Sequence, residues 1–194
     1  NIARECLKLV PVSGKISIST ISDIHPESGT GSSSCFAVGL LNALHTFRGE
    51  RVSSAQLASE ACKIELEKLK KISGKQDQYA AAFGGMNKFT FKKNGEIYVI
   101  PIKILHNTQL KLFKNLKLLW TGIERNSSDI AKTYNLHDNK SEYMIQIKNM
   151  TKDFQREFEK NKLNLDKISN LIKESWVLKK KMSKSISPQK INKF

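Results

Sequence analysis

Apolar and polar positions change period several times along this chain, and each change predicts an element. Over 15–22 (KISISTIS), Ile16 and Ile18 alternate with polar and β-branched neighbours, which is the period of a strand. The segment Asp23 to Ser34 is crowded with Gly, Ser and Pro and runs into CFAVGLLNALHTF. There Phe36, Leu40, Ala43 and Phe47 fall at helical spacing while Val38 and Leu41 fill other faces, so a helix buried nearly all round is expected. A second helix is predicted over 54–71, with Ser53 or Ser54 as N-cap and a stop before Gly74. Its apolar stripe reads Ala58, Cys62, Glu65, Leu69, with a carboxylate in the middle. Its solvent face carries Glu60, Glu67 and Lys71, the last two spaced for an i, i+4 pair.

A short Ala-rich helix (Tyr79–Phe83) and a Gly84-Gly85 stop come next. Phe89–Phe91 and Ile97–Ile102 then flank KKNG, and Asn94-Gly95 predicts a hairpin with a type I′ turn. Beyond about residue 105 the chain becomes Lys-rich and helical, apart from an expected strand at Lys117–Thr121. Ile147, Met150, Phe154 and Phe158 form one helical stripe, and Leu165, Ile168, Ile172 and Trp176 another. The shift places a domain boundary near 105–115. Ser187 and Pro188 read as the start of a further helix with Ile191 and Phe194 on its apolar face, and the chain begins at Asn1 without an initiator Met. Both ends are therefore expected to belong to a longer protein.

Composition narrows the classes. With 194 residues and 39% apolar side chains the chain can bury a core, which excludes a disordered tail. The formal net charge of +15 is unevenly spread, +4 over 1–102 and +11 over 103–194. That suits an anionic partner, whether nucleic acid, an acidic membrane surface or phosphorylated small molecules. The basic residues are nearly all Lys and aromatics make up only 8%, which weakens the case for guanidinium or stacking readout of nucleic acid. No apolar run approaches the ~18 residues of a membrane span, and the expectation is a soluble cytoplasmic protein. Cys6, Cys35 and Cys62 are odd in number and lack metal-ligand spacing, so buried reduced thiols are expected.

The Gly/Ser segment is where chemistry enters. A Gly-rich loop leading into a helix N-terminus is an anion site, because the first amides of the helix lack internal acceptors and the macrodipole is positive there. Gly29 and Gly31 allow close backbone approach, and Ser32, Ser33 and Ser34 add hydroxyls. The loop is neither a Walker A motif nor GxGxxG, and an ordinary polar strand-to-helix loop is the competing reading. Asp77 could simply cap the Ala-rich helix. Glu65 is harder to dismiss, since a carboxylate in an apolar stripe needs a partner, which Mg2+ could supply. Together, a phosphate cradle, a hydroxyl and two carboxylates are the parts of phosphoryl transfer.

PESGTGSSSC (26–35), the apolar helix after it and SGKQDQYAAAFGG (73–85) resemble the GHMP kinase superfamily. Within it they are most similar to bacterial D-glycero-D-manno-heptose 7-phosphate kinases and fucokinase-like sugar kinases. LLWTGIERNSS (118–128) and ESWVLKKKMSKSIS (174–187) resemble the same subfamily. The resemblance implies an α+β fold, with a ribosomal-protein-like nucleotide-binding domain over 1–108 and an α/β C-terminal domain over 109–194. Both would be truncated, the first lacking its initial strands and the second its glycine-rich end.

The resemblance further implies that Pro26, Ser28, Gly29, Thr30, Gly31, Ser32, Ser33 and Ser34 bind the nucleotide. Ser33 and Glu65 would be Mg2+ ligands, Asp77 the catalytic acidic residue, and Lys75 and Gln76 sugar contacts. Thr30 stands where the family usually has Leu, and Glu27 where it has a small or neutral residue. The implied activity is an ATP-dependent sugar kinase acting on a hydroxyl, the anomeric one by resemblance, of a heptose 7-phosphate or related sugar. The implied ligands are ATP, Mg2+ and a sugar or sugar phosphate, with neither nucleic acid nor membrane and with room for a homodimer. A non-catalytic nucleotide-binding remnant is the alternative, and an RNA-binding module is a weaker one.

Overall fold

The computed structural model describes residues 1–24, 28–122, 140–160 and 162–182. It is mixed helix and sheet and divides into two compact units, the first formed by Asn1–Phe89 and the second by Thr90–Gly122 and the described residues beyond it.

The first unit is helical where it is regular. Helix α1 (Ile2–Leu9), which the hydropathy pattern did not single out, is capped by Asn1 Oδ1 accepting from Ala3 N at 2.9 Å and buries Cys6 completely. Helix α2 (Ser32–Phe47) follows the Gly/Ser loop as expected. It is not buried nearly all round, however: Ala37, Val38, Leu40, Leu41, Leu44 and His45 are buried, while Ala43 and Phe47 are exposed, Phe47 at 67%. Phe36, Leu40, Ala43 and Phe47 line an open cavity of about 1300 Å³ between α2 and the segment Lys15–Ile24. That segment is a second correction. Residues 15–22 form no strand, because a strand exists only through a ladder partner and none pairs with them among the described residues.

Helix α3 (Ser54–Cys62) is capped by Ser53, whose hydroxyl accepts from Gln56 N at 3.2 Å. It continues not as α-helix but as one wide π turn over Lys63–Lys68, closed by Leu69 N donating to Ile64 O at 2.9 Å. Such turns recur at functional sites. Ala58, Cys62 and Glu65 are buried and Glu67 is exposed, as the stripe predicts. Two partners differ. Lys71 pairs with Glu65 rather than Glu67, because Lys70 takes a left-handed φ of 52° and turns the chain back. Glu60 does not face solvent freely, since its Oε2 lies 2.9 Å from Nε2 of buried His45, whose Nδ1 meets Glu50 Oε2 at 2.6 Å. This imidazole between two carboxylates joins the C-terminal end of α2 to α3.

Helix α4 (Gln76–Phe83) ends on Gly84 at φ 60° and packs on α2 and α3. Its Tyr79 and Phe83 stack at 6.0 Å, each edge-on to Phe89. The core of the unit is the cluster of Cys6, Val10, Ala37, Val38, Leu40, Leu41, Leu44, Leu57, Ala61 and Ile64. Cys6 and Cys62 are buried thiols, pushed up to about 11 by burial, whereas Cys35 is exposed, against expectation.

Strands β1 (Asn87–Phe91) and β2 (Ile97–Pro101) form the expected hairpin. Its turn is not type I′, which needs positive φ at both Asn94 and Gly95; only Gly95, at 90°, has it. Gly95 N donates to Lys92 O at 3.1 Å and Lys92 N to Glu96 O at 2.9 Å, the pattern of a type I turn closed by a left-handed glycine. In the second unit, α5 (His106–Asn115) precedes 117–121, which is not a strand either. Helices α6 (Lys140–Phe158) and α7 (Leu165–Met182) pack together over Ile168 and Leu171. Ile168 of the second stripe is buried as expected, whereas Leu171 is buried in place of Ile172, which is 48% exposed. The predicted helix at Ser187 and the motifs over 123–128 and 183–187 lie outside the described residues.

Candidate active site

The Gly/Ser loop behaves as its glycines require. Gly29 and Gly31 have φ of 78° and 74°, a region that L side chains avoid. Gly31 is the N-cap of α2 and its carbonyl accepts from Ser34 N and Cys35 N, both at 3.0 Å. The amides of Ser32 and Ser33 precede the first intrahelical bonds and have no acceptor within the helix. Ser28 and Thr30 hydroxyls meet at 2.8 Å across the loop. Pro26 lies outside the described residues.

Glu65 is drawn to the same helix end. Its carboxylate is almost fully buried, yet every lone-pair position has a donor. Ser33 Oγ donates to Oε1 at 2.7 Å and Ser34 Oγ to Oε2 at 2.6 Å. Lys71 Nζ donates to Oε1 at 2.8 Å and Gln78 Nε2 to Oε2 at 2.6 Å. Burial alone would push this carboxyl up, but the bonds from Lys71, Ser34, Ser33 and Gln78 outweigh it and hold it below the usual range. Glu65 is thus a fixed negative charge beside a helix N-terminus.

Asp77 lies in the first turn of α4 and does not cap it; the N-cap is Lys75, with no side-chain cap bond. It is exposed and rests against the loop. A Cβ built on Gly31 would stand 3.5 Å from Asp77 Cγ and 3.6 Å from Oδ2. The structure therefore brings together Ser33, Ser34, Glu65 and, across Gly31, Asp77. Lys75 and Gln76 are exposed at the start of α4 and make none of the bonds to Glu65.

Two participants escape the sequence pattern. Gln78 is 1% exposed, and its Oε1 is buried without a partner among the described residues. The signal for it was its place one turn before Ala81 and Ala82, on the apolar face of a short helix. Lys71 pairs with Glu65 and not with Glu67 because the π turn and the left-handed Lys70 break the regular helical spacing. Ser34, expected to serve the loop, turns its buried hydroxyl to Glu65 instead.

The donor set fits a small hard cation. It offers one carboxylate oxygen shared with one hydroxyl, at the N-terminal end of a helix, which suits Mg2+ carried largely by phosphate and water. Among the described residues no group of three His, Cys, Asp or Glu side chains could hold a metal unaided.

Residues 1–85 match the family model for the GHMP kinases N terminal domain. The chain is also 31% identical over 181 residues to D-glycero-alpha-D-manno-heptose 7-phosphate kinase of Campylobacter jejuni subsp. jejuni serotype O:2. That similarity covers 92% of this chain and 53% of the relative, so the chain spans about half the length of the curated relative it matches. Among the described residues no helix is long and apolar enough to cross a membrane. Loop, buried carboxylate and exposed aspartate all fall within residues 1–85, the part of the chain that matches the model of the GHMP kinases N terminal domain.

Proposed function

We propose that this chain is the nucleotide-binding part of an ATP-dependent sugar kinase that phosphorylates a heptose 7-phosphate or a closely related sugar. The observation that carries this reading is the buried Glu65, held by Ser33 and Ser34 at the α2 N-terminus with Asp77 across Gly31. We assign residues 1–108 to the ATP-binding domain and 109–194 to the C-terminal domain. The similarity to the Campylobacter jejuni heptose 7-phosphate kinase supports the heptose phosphate.

In this reading the amides of Ser28 to Ser33 surround the β- and γ-phosphates, with Ser33 Oγ and Glu65 Oε1 as the protein ligands of Mg2+. When bound, that ion offsets charge building on the phosphates. Asp77 accepts the proton of the attacking sugar hydroxyl as the new O–P bond forms and the bond from Pγ to the β-phosphate oxygen breaks, releasing ADP. Lys75 and Gln76, flanking Asp77, orient the sugar.

The test is ADP release from ATP, Mg2+ and D-glycero-D-manno-heptose 7-phosphate by the full chain, with Asp77→Asn alongside. Turnover that falls by two orders of magnitude or more in Asp77→Asn, with nucleotide binding kept, is expected. Near-normal turnover in that variant sinks the role of Asp77. Nucleotide binding without any turnover in the unmodified chain favours the non-catalytic reading.

A further inference from the structure

Four donors fill the Glu65 carboxylate, and only one of them is charged. Ser33, Ser34 and Gln78 are neutral; Lys71 Nζ, 2.8 Å from Oε1, supplies the compensating positive charge. The four also differ in freedom. Ser34 and Gln78 are buried and fix Oε2, whereas the Lys71 side chain is 32% exposed and ends a flexible stem. Lys71 is delivered there by its backbone as well, since Lys70 takes φ 52° and Lys71 N donates to Glu65 O at 2.9 Å. The ammonium therefore sits on Oε1, the oxygen shared with Ser33, which is the pair proposed above to take a metal.

We propose that Lys71 is a built-in counter-ion that holds the cation position of Glu65 and Ser33 until a divalent cation displaces it. The inference rests on the reading of Ser33 and Glu65 as metal ligands. Two cations cannot share one carboxylate oxygen without repulsion, so metal entry requires the ammonium to leave toward solvent. Ser34 and Gln78 stay, keeping the carboxylate from turning during the exchange. The buried charge is never left uncompensated, which is the costly state for a carboxylate in this position.

The experiment titrates Mn2+ alone, by electron paramagnetic resonance, into the full chain as wild type, Lys71→Met and Glu65→Gln. Lys71→Met is expected to bind Mn2+ at least severalfold more tightly than wild type and to melt lower without metal, regaining that loss at saturating Mn2+. Unchanged or weaker Mn2+ binding by Lys71→Met, with Glu65→Gln weakened, overturns the counter-ion role and leaves the metal ligands standing. Glu65→Gln binding Mn2+ like wild type overturns both. Should Lys71→Met fail to fold, the acetylation rate of Lys71 in the wild-type chain decides. A rise on adding Mn2+ supports displacement, and an unchanged rate refutes it.

Discussion

Gln78 Nε2 lies 2.6 Å from Glu65 Oε2, so the helix that carries Asp77 is tied directly to the buried carboxylate beside the Gly/Ser loop. Asp77 and Gln78 are chain neighbours, and one faces the loop while the other reaches under it. Replacing Gln78 with Leu removes a hydrogen bond to a charged group and is expected to cost about 1.5–3 kcal/mol. Gln78→Glu should cost more, since it sets a second carboxylate against Glu65. Urea denaturation measures both; a Gln78→Leu variant as stable as wild type would show that the bond contributes nothing.

Glu65 predicts an acid limb. Its carboxyl is held below the ordinary range, so its contribution is fully present above the unfolded value of about 4.3 and is lost as pH falls through the lower folded value. Stability measured from neutral pH downward should drop in that window, and Glu65→Gln should flatten the drop while lowering stability at neutral pH.

His45 predicts the opposite limb. Burial disfavours its charged form, but the hydrogen bonds it donates to Glu50 and Glu60 outweigh that and raise its affinity for a proton. Arg48, 2.6 Å from Glu50 Oε1, and Gln56, 2.9 Å from Glu60 Oε1, hold the two carboxylates in place. The stabilisation is fully present below about pH 6.5 and is lost as pH rises through the raised folded value. His45→Gln should remove this alkaline dependence in thermal melts, with the joint between α2 and α3 weakened at pH 6.

Gly31→Ala should be harmful through its backbone. A left-handed φ of 74° costs a non-glycine residue roughly 1–2 kcal/mol. The added methyl itself would fit, since it would stand at ordinary contact distance, 3.5 Å from Asp77 Cγ. A stability loss of that size in urea denaturation is the expected result; a variant as stable as wild type would show that the loop tolerates the strain.

Leu41 and Phe47 lie on one helix and should behave very differently. Leu41 is fully buried in the core cluster, and Leu41→Ala should cost about 2–5 kcal/mol. Phe47, 67% exposed, should tolerate Ala with a change near the ±0.5 kcal/mol of an ordinary surface site. Equal losses would mean that the apolar wall of the cavity is covered in solution.

Local chemistry was legible in the residue order. Ser53 announces a helix cap and the KKNG segment a hairpin, because each depends on backbone sterics within a few residues. Glu65 in an apolar stripe announced a buried charge that needs partners. Elements that depend on distant partners were not legible. The alternating stretch 15–22 has strand chemistry but no ladder among the described residues, and α2, expected to be buried nearly all round, leaves Ala43 and Phe47 exposed. Hydrophobic period marks which residues can be buried, not which face meets a neighbour.

By its order alone the chain determines that residues 28–34 form a Gly/Ser loop leading into a helix, that Glu65 is set among apolar residues and that Asp77 opens a helix, since propensity and spacing act locally. Tertiary structure alone decided that Ser33, Ser34, Lys71 and Gln78 converge on Glu65 and that Asp77 rests on Gly31. The π turn and the left-handed Lys70 are the reason. They break the regular helical spacing on which any reading of residue order depends, and they do so where a buried carboxylate must collect four donors from three separate parts of the chain.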